Sequence, residues 1–196
     1  MLPTRGAAYN PKESRQCRAG CARTESLSHV LQGCDVTHFS RIDRHNYVAK
    51  TVKRAGVKNG YTVEVEPRIT CTDGKWKVPD LIFTRGDEVV VTDIAVAWEG
   101  ARPLSTEYFR KQKYYSDGHF LNALGARYGA DKRILIAPFI VGARGTWCAE
   151  NRTLVSVLGM PKHMQETVIL DTLKGGWTIH ADFYRRTWRH TGVSRR

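Results

Sequence analysis

Hydrophobic residues alternate with polar ones, or run together, in several short stretches in the middle of the chain. Residues 61–69, YTVEVEPRI, alternate as a half-buried strand does, and the Asp-Gly turn of TDGKWK follows. Residues 78–99, VPDLIFTRGDEVVVTDIAVAWE, predict two strands around a tight turn. Residues 133–142, RILIAPFIVG, form an apolar run typical of a buried strand. The pattern therefore predicts a sheet whose inner strands are buried on both faces.

Helical spacing of apolar residues marks the remaining segments. Residues 35–56 place Phe39, Ile42, Ala49 and Val52 on one helical face. Further helices are predicted for STEYFRKQKYY, GTWCAENRTLVSVLG, PKHMQETVILDTLK and TIHADFYRRTWRH. Strands come first and are followed by strand and helix in alternation, an order that predicts an α/β core with a mixed sheet flanked by helices.

Two aspartates interrupt the apolar hairpin of residues 78–99. If Gly86 and Asp87 form the turn, Asp80 lies directly opposite Asp93, whereas a turn at residues 85–86 makes the two aspartates diagonal neighbours on the same face. Two such carboxylates repel each other, and an unpaired charge among apolar neighbours is costly. A divalent ion between them removes the conflict, and hard oxygen ligands favour Mg²⁺.

A structural explanation of the same carboxylates stays open at this point. Arginine side chains or backbone N–H groups also satisfy a buried carboxylate. For Asp80 alone, which follows Pro79 at the start of a strand, the structural and the metal-binding interpretations carry equal weight. For the pair, in a strongly basic protein, we favour the metal.

A cation that can position an attacking water is expected in the next helix. Tyr108, Lys111 and Tyr115 share one face of it by their i, i+3, i+7 spacing. Lys111 is the candidate, and Lys113, which points to another face, is the reserve. A lysine on its own is most often a solvated surface charge, so this assignment depends on the neighbouring aspartates.

The cysteines near the start of the chain have the spacing of a metal site. Residues 17–34, CRAGCARTESLSHVLQGC, follow the pattern C-x3-C-x7-H-x4-C, with Gly20 inside the first step. Three thiolates and one imidazole are a tetrahedral zinc set that leaves no position for water, so the zinc is expected to be structural. The alternative is free cysteines buried as small hydrophobic residues. The predicted ligands are Cys17, Cys21, His29 and Cys34, and ordinary packing is predicted for Cys71 and Cys148.

Composition and charge narrow the classes of partner. The chain has 31 basic and 19 acidic residues and a formal net charge of +12, which attracts polyanions and above all nucleic acid. A basic cluster, with Arg41 and Arg44 at its start, lies on the first long predicted helix, and Arg189, Arg195 and Arg196 lie near the end of the chain. No apolar run approaches the length of a membrane span, so no membrane partner is expected. The first residues lack the apolar segment of a secretory signal, and we expect the chain to be a piece of a longer polypeptide.

The ordered set of motifs resembles a known family. The matching features, in chain order, are the cysteine-histidine cluster, RHN at residues 44–46, PDLIF, VVVTDIAV, the helix carrying Lys111, APFIVGARGTWC and FYRRTWR. In this order they resemble the C-terminal restriction-like endonuclease of site-specific non-LTR retrotransposons, which insert into ribosomal RNA genes. The resemblance runs over nearly the whole chain. It implies a PD-(D/E)xK restriction-endonuclease-like core in residues 37–196, preceded by a small zinc knuckle in residues 1–36.

The resemblance also implies an activity and partners. In that family the chain follows a reverse transcriptase, and the nuclease nicks double-stranded target DNA to expose a 3′-hydroxyl that primes copying of the element's RNA. The implied partners are thus target DNA, element RNA and the reverse transcriptase portion of the polyprotein, and the implied location is the nucleus. Two alternatives remain: an inactive zinc-stabilised module that binds nucleic acid, and a stand-alone phage- or plasmid-type nuclease of the same fold.

The resemblance assigns roles to individual residues. Asp80 and Asp93 correspond to the metal-binding carboxylates, and the carbonyl of Ile94 is a further Mg²⁺ ligand. Because Ile94 and Ala95 follow Asp93, this chain departs from the usual D/E-x-K, and the lysine is expected from the next helix as Lys111. The residues expected to contact DNA or template RNA are Arg41, Arg44, His45 and Tyr115.

Overall fold

The computed structural model describes residues 15–100 and 102–187, which form two compact units. Residues 15–44 and 173–187 form one unit, and residues 45–100 and 102–172 form the other. Among the described residues, no helix combines the length and the apolar character that crossing a bilayer requires. The domain boundary predicted at residues 36–37 stays a prediction.

The larger unit is built on a mixed four-stranded sheet. The sheet has the order β1 (Thr62–Val65), β4 (Leu81–Arg85), β5 (Glu88–Thr92) and β7 (Arg133–Ile136). Its first two neighbouring pairs are antiparallel, and β5 and β7 are parallel. A short hairpin joins β2 (Ile69–Thr70) to β3 (Trp76–Lys77) around the predicted Asp-Gly turn, where Gly74 has a φ of 80°. The mixed α/β architecture predicted from the sequence is confirmed.

The hairpin of β4 and β5 has the first of the two predicted registers. Leu81 pairs with Thr92 and Arg85 pairs with Glu88, which leaves Gly86 and Asp87 as the two-residue turn. Gly86 has a φ of 56°, a conformation that such a turn requires and that glycine adopts without strain. The same register, continued by one residue, places Asp80 opposite Asp93.

The second predicted strand of residues 78–99 does not run through Asp93. The strand ends at Thr92, and a separate strand, β6 (Ile94–Ala97), begins directly after Asp93 and pairs in parallel with β8 (Phe139–Gly142). The predicted single strand of residues 133–142 is likewise two strands, β7 and β8. The interruption falls at Pro138, which has no N–H to donate to a sheet ladder. The chain changes its sheet partner at this point.

Apolar residues cover both faces of the sheet, as the sequence predicts. On one face Phe83 and Val90 pack with Val48 and Val52 of α2 (His38–Lys58). On the other face the buried strand residues pack against Phe120 and Leu124 of α4 (Gly118–Tyr128). Helix α4 was not predicted from the sequence, and its start is capped by the Asp117 carboxylate, which accepts from the His119 N–H.

The predicted apolar face of α2 is wrong in part. Val52 is fully buried, but Phe39 and Ile42 are 71% and 42% exposed. The buried positions are instead Val48, Val52 and Ala55, whose i, i+4, i+7 spacing faces the sheet. Phe39 and Ile42 precede the segment that packs on the sheet and belong to the smaller unit.

The C-terminal helices differ from the prediction. Instead of two helices, one helix of 26 residues, α6 (Lys162–Thr187), runs through Gly175. A Cβ at position 175 would lie 2.6 Å from Cγ of Arg44, so the glycine allows close packing within the smaller unit. Helix α3 (Leu104–Tyr115) is as predicted, and α5 (Arg152–Val157) is shorter than predicted. The expected basic end of the chain, with Arg189, Arg195 and Arg196, lies outside the described residues.

Candidate functional site

Asp80 is held at the entrance to β4 by two nitrogen donors. Its Oδ2 accepts a 2.5 Å hydrogen bond from the Ile94 N–H and lies 3.2 Å from Nε2 of His45. Burial raises the pKa of the Asp80 carboxyl, but the His45 hydrogen bond and charge, the Ile94 N–H and the charge of Lys111 outweigh burial and hold this pKa below its ordinary value. Asp80 is therefore an ionised carboxylate at neutral pH.

Asp93 faces a different set of partners. Lys111 Nζ donates to its Oδ2, and the Tyr115 hydroxyl lies 3.3 Å from its Oδ1. The pKa of Asp93 is raised, first by burial and then by the negative charge of Asp80, while Lys111 lowers it. The two carboxylates thus titrate as an interacting pair in which one pKa is low and the other is high.

This pair has the donor chemistry of a hard divalent cation. Both side chains offer carboxylate oxygens, and both are largely buried, at 18% and 12% exposure. A cation between them would remove the repulsion that raises the pKa of Asp93. The residues therefore fit Mg²⁺ as a ligand. For Ile94 the structure places the backbone N–H on Asp80, and a role for its carbonyl as a metal ligand stays a prediction.

Of the two candidate lysines, the structure brings only Lys111 to the aspartates. Helix α3 directs it toward Asp93, and its side chain is 15% exposed. Lys113, two residues further along the same helix, lies exposed on another face. The i, i+3, i+7 face named from the sequence exists, since Tyr108 and Tyr115 on either side of Lys111 are buried.

Tyr115 does not lie where a nucleic-acid contact requires. The side chain is 4% exposed and its hydroxyl lies 3.1 Å from the Val78 carbonyl oxygen as well as near Asp93. Burial and the charges of Asp93 and Asp80 raise its pKa, so the hydroxyl keeps its proton and donates it. Its position makes Tyr115 a support of the carboxylate pair rather than a surface contact.

A third acidic residue stands in the same row as the aspartates and was not recognised in the sequence. Val65 pairs with Leu81, so Glu66 lies opposite Asp80 on the side away from Asp93, and the Glu66 N–H donates to the Asp80 carbonyl oxygen at 2.9 Å. Glu66 has a φ of 48°, which is uncommon for a residue with a side chain. The alternation of YTVEVEPRI marks Glu66 as a strand residue, but only the register reveals its neighbour.

The predicted zinc ligands converge in the smaller unit. The ligand atoms of Cys17, Cys21, His29 and Cys34 all lie within 4.8 Å of one another. The Cys34 sulfur is 3.9 Å from that of Cys17 and 3.7 Å from that of Cys21. Gly20, with a φ of 85°, forms the turn between the first two cysteines as predicted.

The histidine supplies the observation that separates a metal site from packed free thiols. Ser26 caps α1 (Leu27–Gln32) by accepting from the His29 N–H, and the His29 imidazole lies beside the sulfurs. Both ring nitrogens of His29 are buried, and neither has a hydrogen-bond partner among the described residues. An orphaned imidazole is costly, whereas coordination satisfies it. The cluster can hold zinc. Cys71 and Cys148, predicted to be packing residues, are buried in the larger unit.

Arg41 and Arg44 were predicted to contact nucleic acid, and the structure gives them interior partners instead. Arg44 is 2% exposed, and its Nη2 donates to the Leu31 carbonyl at 3.0 Å and to Gln32. Arg41 donates to the Gln32 carbonyl at 2.6 Å and to that of Cys34 at 3.3 Å. These guanidinium groups bind the last carbonyls of α1, which a helix cannot satisfy itself. The prediction is wrong for Arg44, whose charge does not reach the surface. His45, the third residue of the set, binds Asp80.

Comparison with known proteins gives relatives of one kind. No known family profile matches the chain. A "Retrovirus-related Pol polyprotein from type-1 retrotransposable element R2" of Popillia japonica is 40% identical over 193 residues. This alignment covers 98% of the chain and 40% of the relative. A second polyprotein of the same name and organism is 42% identical over 96% of the chain and 31% of the relative.

A more distant relative has a related name. The "Retrovirus-related Pol polyprotein from type-2 retrotransposable element R2DM" of Drosophila melanogaster is 28% identical over 95% of the chain, and the match covers 18% of the relative. The chain is thus homologous to R2 retrotransposon Pol polyproteins, and it spans about two fifths or less of the length of the relatives named here.

Proposed function

We propose that this chain is the endonuclease portion of an R2-like retrotransposon polyprotein and nicks one strand of target DNA in a Mg²⁺-dependent reaction. The observation that carries the proposal is the meeting of Asp80, Asp93 and Lys111 at the end of a mixed sheet. Two carboxylates at strand ends with a lysine beside them, here supplied by α3, correspond to the functional set of a PD-(D/E)xK core. The homology to R2 polyproteins supports the same assignment.

The side chains have distinct roles in the proposed reaction. Asp80 and Asp93 would hold Mg²⁺, which when bound neutralises charge on the scissile phosphate and lowers the pKa of a water. His45 and the Ile94 N–H fix the orientation of the Asp80 carboxylate before substrate arrives. Lys111 holds the attacking water or stabilises the extra negative charge on the phosphate in the transition state. The products are a 5′-phosphate and a 3′-hydroxyl.

The proposal extends to the rest of the polyprotein. A 3′-hydroxyl on the nicked strand is the primer that a reverse transcriptase needs to copy the element's RNA into the target. The proposed partners are therefore double-stranded target DNA, element RNA and a reverse transcriptase portion of the same polyprotein, and the proposed location is the nucleus. The cysteine-histidine cluster would bind a structural zinc, because its four ligands leave no open position for water.

One observation favours the rival function, a zinc-stabilised module that binds nucleic acid without cutting it. Both aspartates already have partners within the protein, since His45 and Ile94 bind Asp80, and Lys111 binds Asp93. Such pairing can serve structure alone. Binding that is independent of Mg²⁺, without nicking, is what this rival predicts.

The test is nicking of supercoiled plasmid by zinc-loaded protein, with and without Mg²⁺. Asp80→Asn and Asp93→Asn keep the side-chain volume and remove the charge, so both should abolish the conversion to nicked circles. Asp87→Asn, in the hairpin turn, removes a charge from the same hairpin and should nick like wild type. If the folded wild-type protein binds plasmid at every Mg²⁺ concentration and never nicks it, the rival replaces the nuclease.

A further inference from the structure

A cleft of about 430 Å³ opens beside Asp80 in the larger unit. Helix α2 supplies one wall, which includes His45, Lys50 and Lys53, and the facing wall includes Glu66 and Asp80. The cleft is therefore continuous with the candidate active site, because His45 lines it and also contacts Asp80.

Lys53 lies on the same stripe of α2 as His45, and both lysines line the cleft. Positions 45, 49 and 53 follow at intervals of four residues, and Lys50 lies beside them. A helix rises 1.5 Å per residue, so Lys53 lies about 12 Å along the helix axis from His45. Successive phosphates of one DNA strand are about 3.4 Å apart along the duplex axis. The wall from His45 to Lys53 thus covers about three phosphates.

Both ammonium groups are available to an incoming anion. Lys50 is exposed and Lys53 is half-buried at the cleft. Within residues 15–100 and 102–187 neither of them takes part in an ion pair, in contrast to Lys77 and Lys111, which are paired with aspartates. Glu66 and Asp80 leave the facing wall acidic, so the basic wall of α2 is the side that suits phosphates.

We propose that Lys50 and Lys53 hold the phosphates of the DNA strand that passes Asp80, on one side of the phosphate that is cut. This inference rests on the proposed nuclease function, since it takes the strand in the cleft to be the strand that is nicked. It also replaces the predicted nucleic-acid contact of Arg44, whose charge is used inside the smaller unit. Lys50 and Lys53 position the substrate and do not touch the reacting atoms.

The experiment measures how binding depends on salt. Wild type, Lys50→Ala, Lys53→Ala and the double variant are titrated with a DNA duplex in Mg²⁺-free buffer that retains zinc, across a range of salt concentrations. Each lost phosphate contact should reduce the slope of log K against log salt by about 0.9, and the double variant should lose about twice that. Lys58→Ala is the matched control, because Lys58 is exposed on the same helix and does not line the cleft. Thermal melting of each variant checks that it is folded.

Each outcome decides the inference. An unchanged slope in the folded double variant overturns the inference. An equal reduction of the slope in Lys58→Ala also overturns it, because the effect would then come from the overall positive charge of the protein and not from the cleft. A reduction seen with single-stranded RNA and not with duplex DNA overturns it in favour of an RNA contact. If wild type never nicks plasmid while the slope falls as expected, the proposed function fails and the phosphate contact stands. Lys50→Arg and Lys53→Arg should keep the wild-type slope, because they keep the charge.

Discussion

Lys111 of α3 donates a hydrogen bond to the carboxylate of Asp93, although 18 residues separate them in the chain. The lysine thus comes from a helix and reaches the second carboxylate of the pair. In a D/E-x-K sequence the lysine would instead lie on the same strand as that carboxylate. Tyr108 and Tyr115 are buried on either side of the lysine and anchor the helix. The position of the ammonium group is therefore fixed by buried aromatic residues.

Replacing Lys111 by alanine should lower the rate of plasmid nicking by about 100-fold or more, because such charge stabilisation contributes about 10²–10³ to a rate. The burial that already raises the pKa of Asp93 would then act without an opposing cation, which further disfavours its ionised form. Lys113→Ala is the control on the same helix and should nick at the wild-type rate. Loss of nicking in Lys113→Ala with retention in Lys111→Ala would reverse the assignment.

Replacing Cys21 by alanine should remove zinc from a protein that otherwise binds about one ion per chain. Three ligands would remain and His29 would keep its buried, unpartnered nitrogens, so the protein should also melt at a lower temperature. Metal content after dialysis and thermal unfolding measure the two effects. Cys71→Ala, a buried cysteine outside the cluster, should keep its zinc. Equal zinc content in both variants would show that the cluster is not the zinc site.

Part of the protein's stability should depend on whether the carboxyl group of Glu99 is ionised, and should therefore change with pH in the acid range. Burial raises the pKa of its carboxyl, but hydrogen bonds from backbone N–H groups, 2.8 Å from Arg144 and 3.2 Å from Thr146, outweigh burial and lower it below the ordinary 4.5. A depressed pKa contributes stability above the unfolded-state pKa, and this contribution is lost as the pH falls through the folded-state pKa.

We therefore expect Glu99→Gln to melt at a lower temperature than wild type at pH 7, with a difference that narrows once the pH falls below about 4.5. Each 1 kcal/mol corresponds to about 2–4 °C in a chain of this size. Thermal melts of both proteins between pH 7 and pH 3 test this. A difference in melting temperature that stays constant over the whole range would contradict the titration of Glu99.

Replacing Gly56 by alanine should destabilise the larger unit, although alanine is the better helix former by about 1 kcal/mol. A Cβ at position 56 would overlap the ring of Phe83, which is fully buried and has no room to move. Overpacking of this kind costs about 1–3 kcal/mol. Gly118→Ala at the start of α4 is the control, because nothing lies within 4 Å of the added Cβ. Denaturant unfolding of both variants gives the comparison.

The elements that could be predicted from the sequence are those with local signals. The Asp-Gly turn, the alternation of β1 and the aromatic face of α3 all depend on residues a few positions apart. The spacing of the cysteines predicted a cluster that the structure brings together, because metal ligands in a short loop have few ways to meet. The hairpin sequence allowed two registers, one with the turn at residues 86–87 and one with the turn at residues 85–86, and the tertiary structure selects the first.

What the sequence could not reveal depends on long-range packing. Arg44 looks like a surface cation, and only the fold brings the α1 carbonyls to it. The sequence predicts that His45 contacts nucleic acid, whereas its partner in the fold, Asp80, lies 35 residues away. Two separate helices were predicted on either side of residues 175–176, whereas α6 is continuous and Arg44 packs closely against Gly175. The cleft beside Asp80 likewise becomes visible only when α2 and β4 are in place.

The two-residue turn of the hairpin acts as a spacer for the candidate active site. Gly86 and Asp87 set which residue stands across from Asp80, and a strand shifted by one position would present a neighbour whose side chain points to the opposite face. One inserted residue at this exposed turn, at the opposite end of both strands from the carboxylates, would therefore separate the pair while leaving every proposed catalytic side chain in the chain. The turn must therefore keep its length for the two aspartates to face each other.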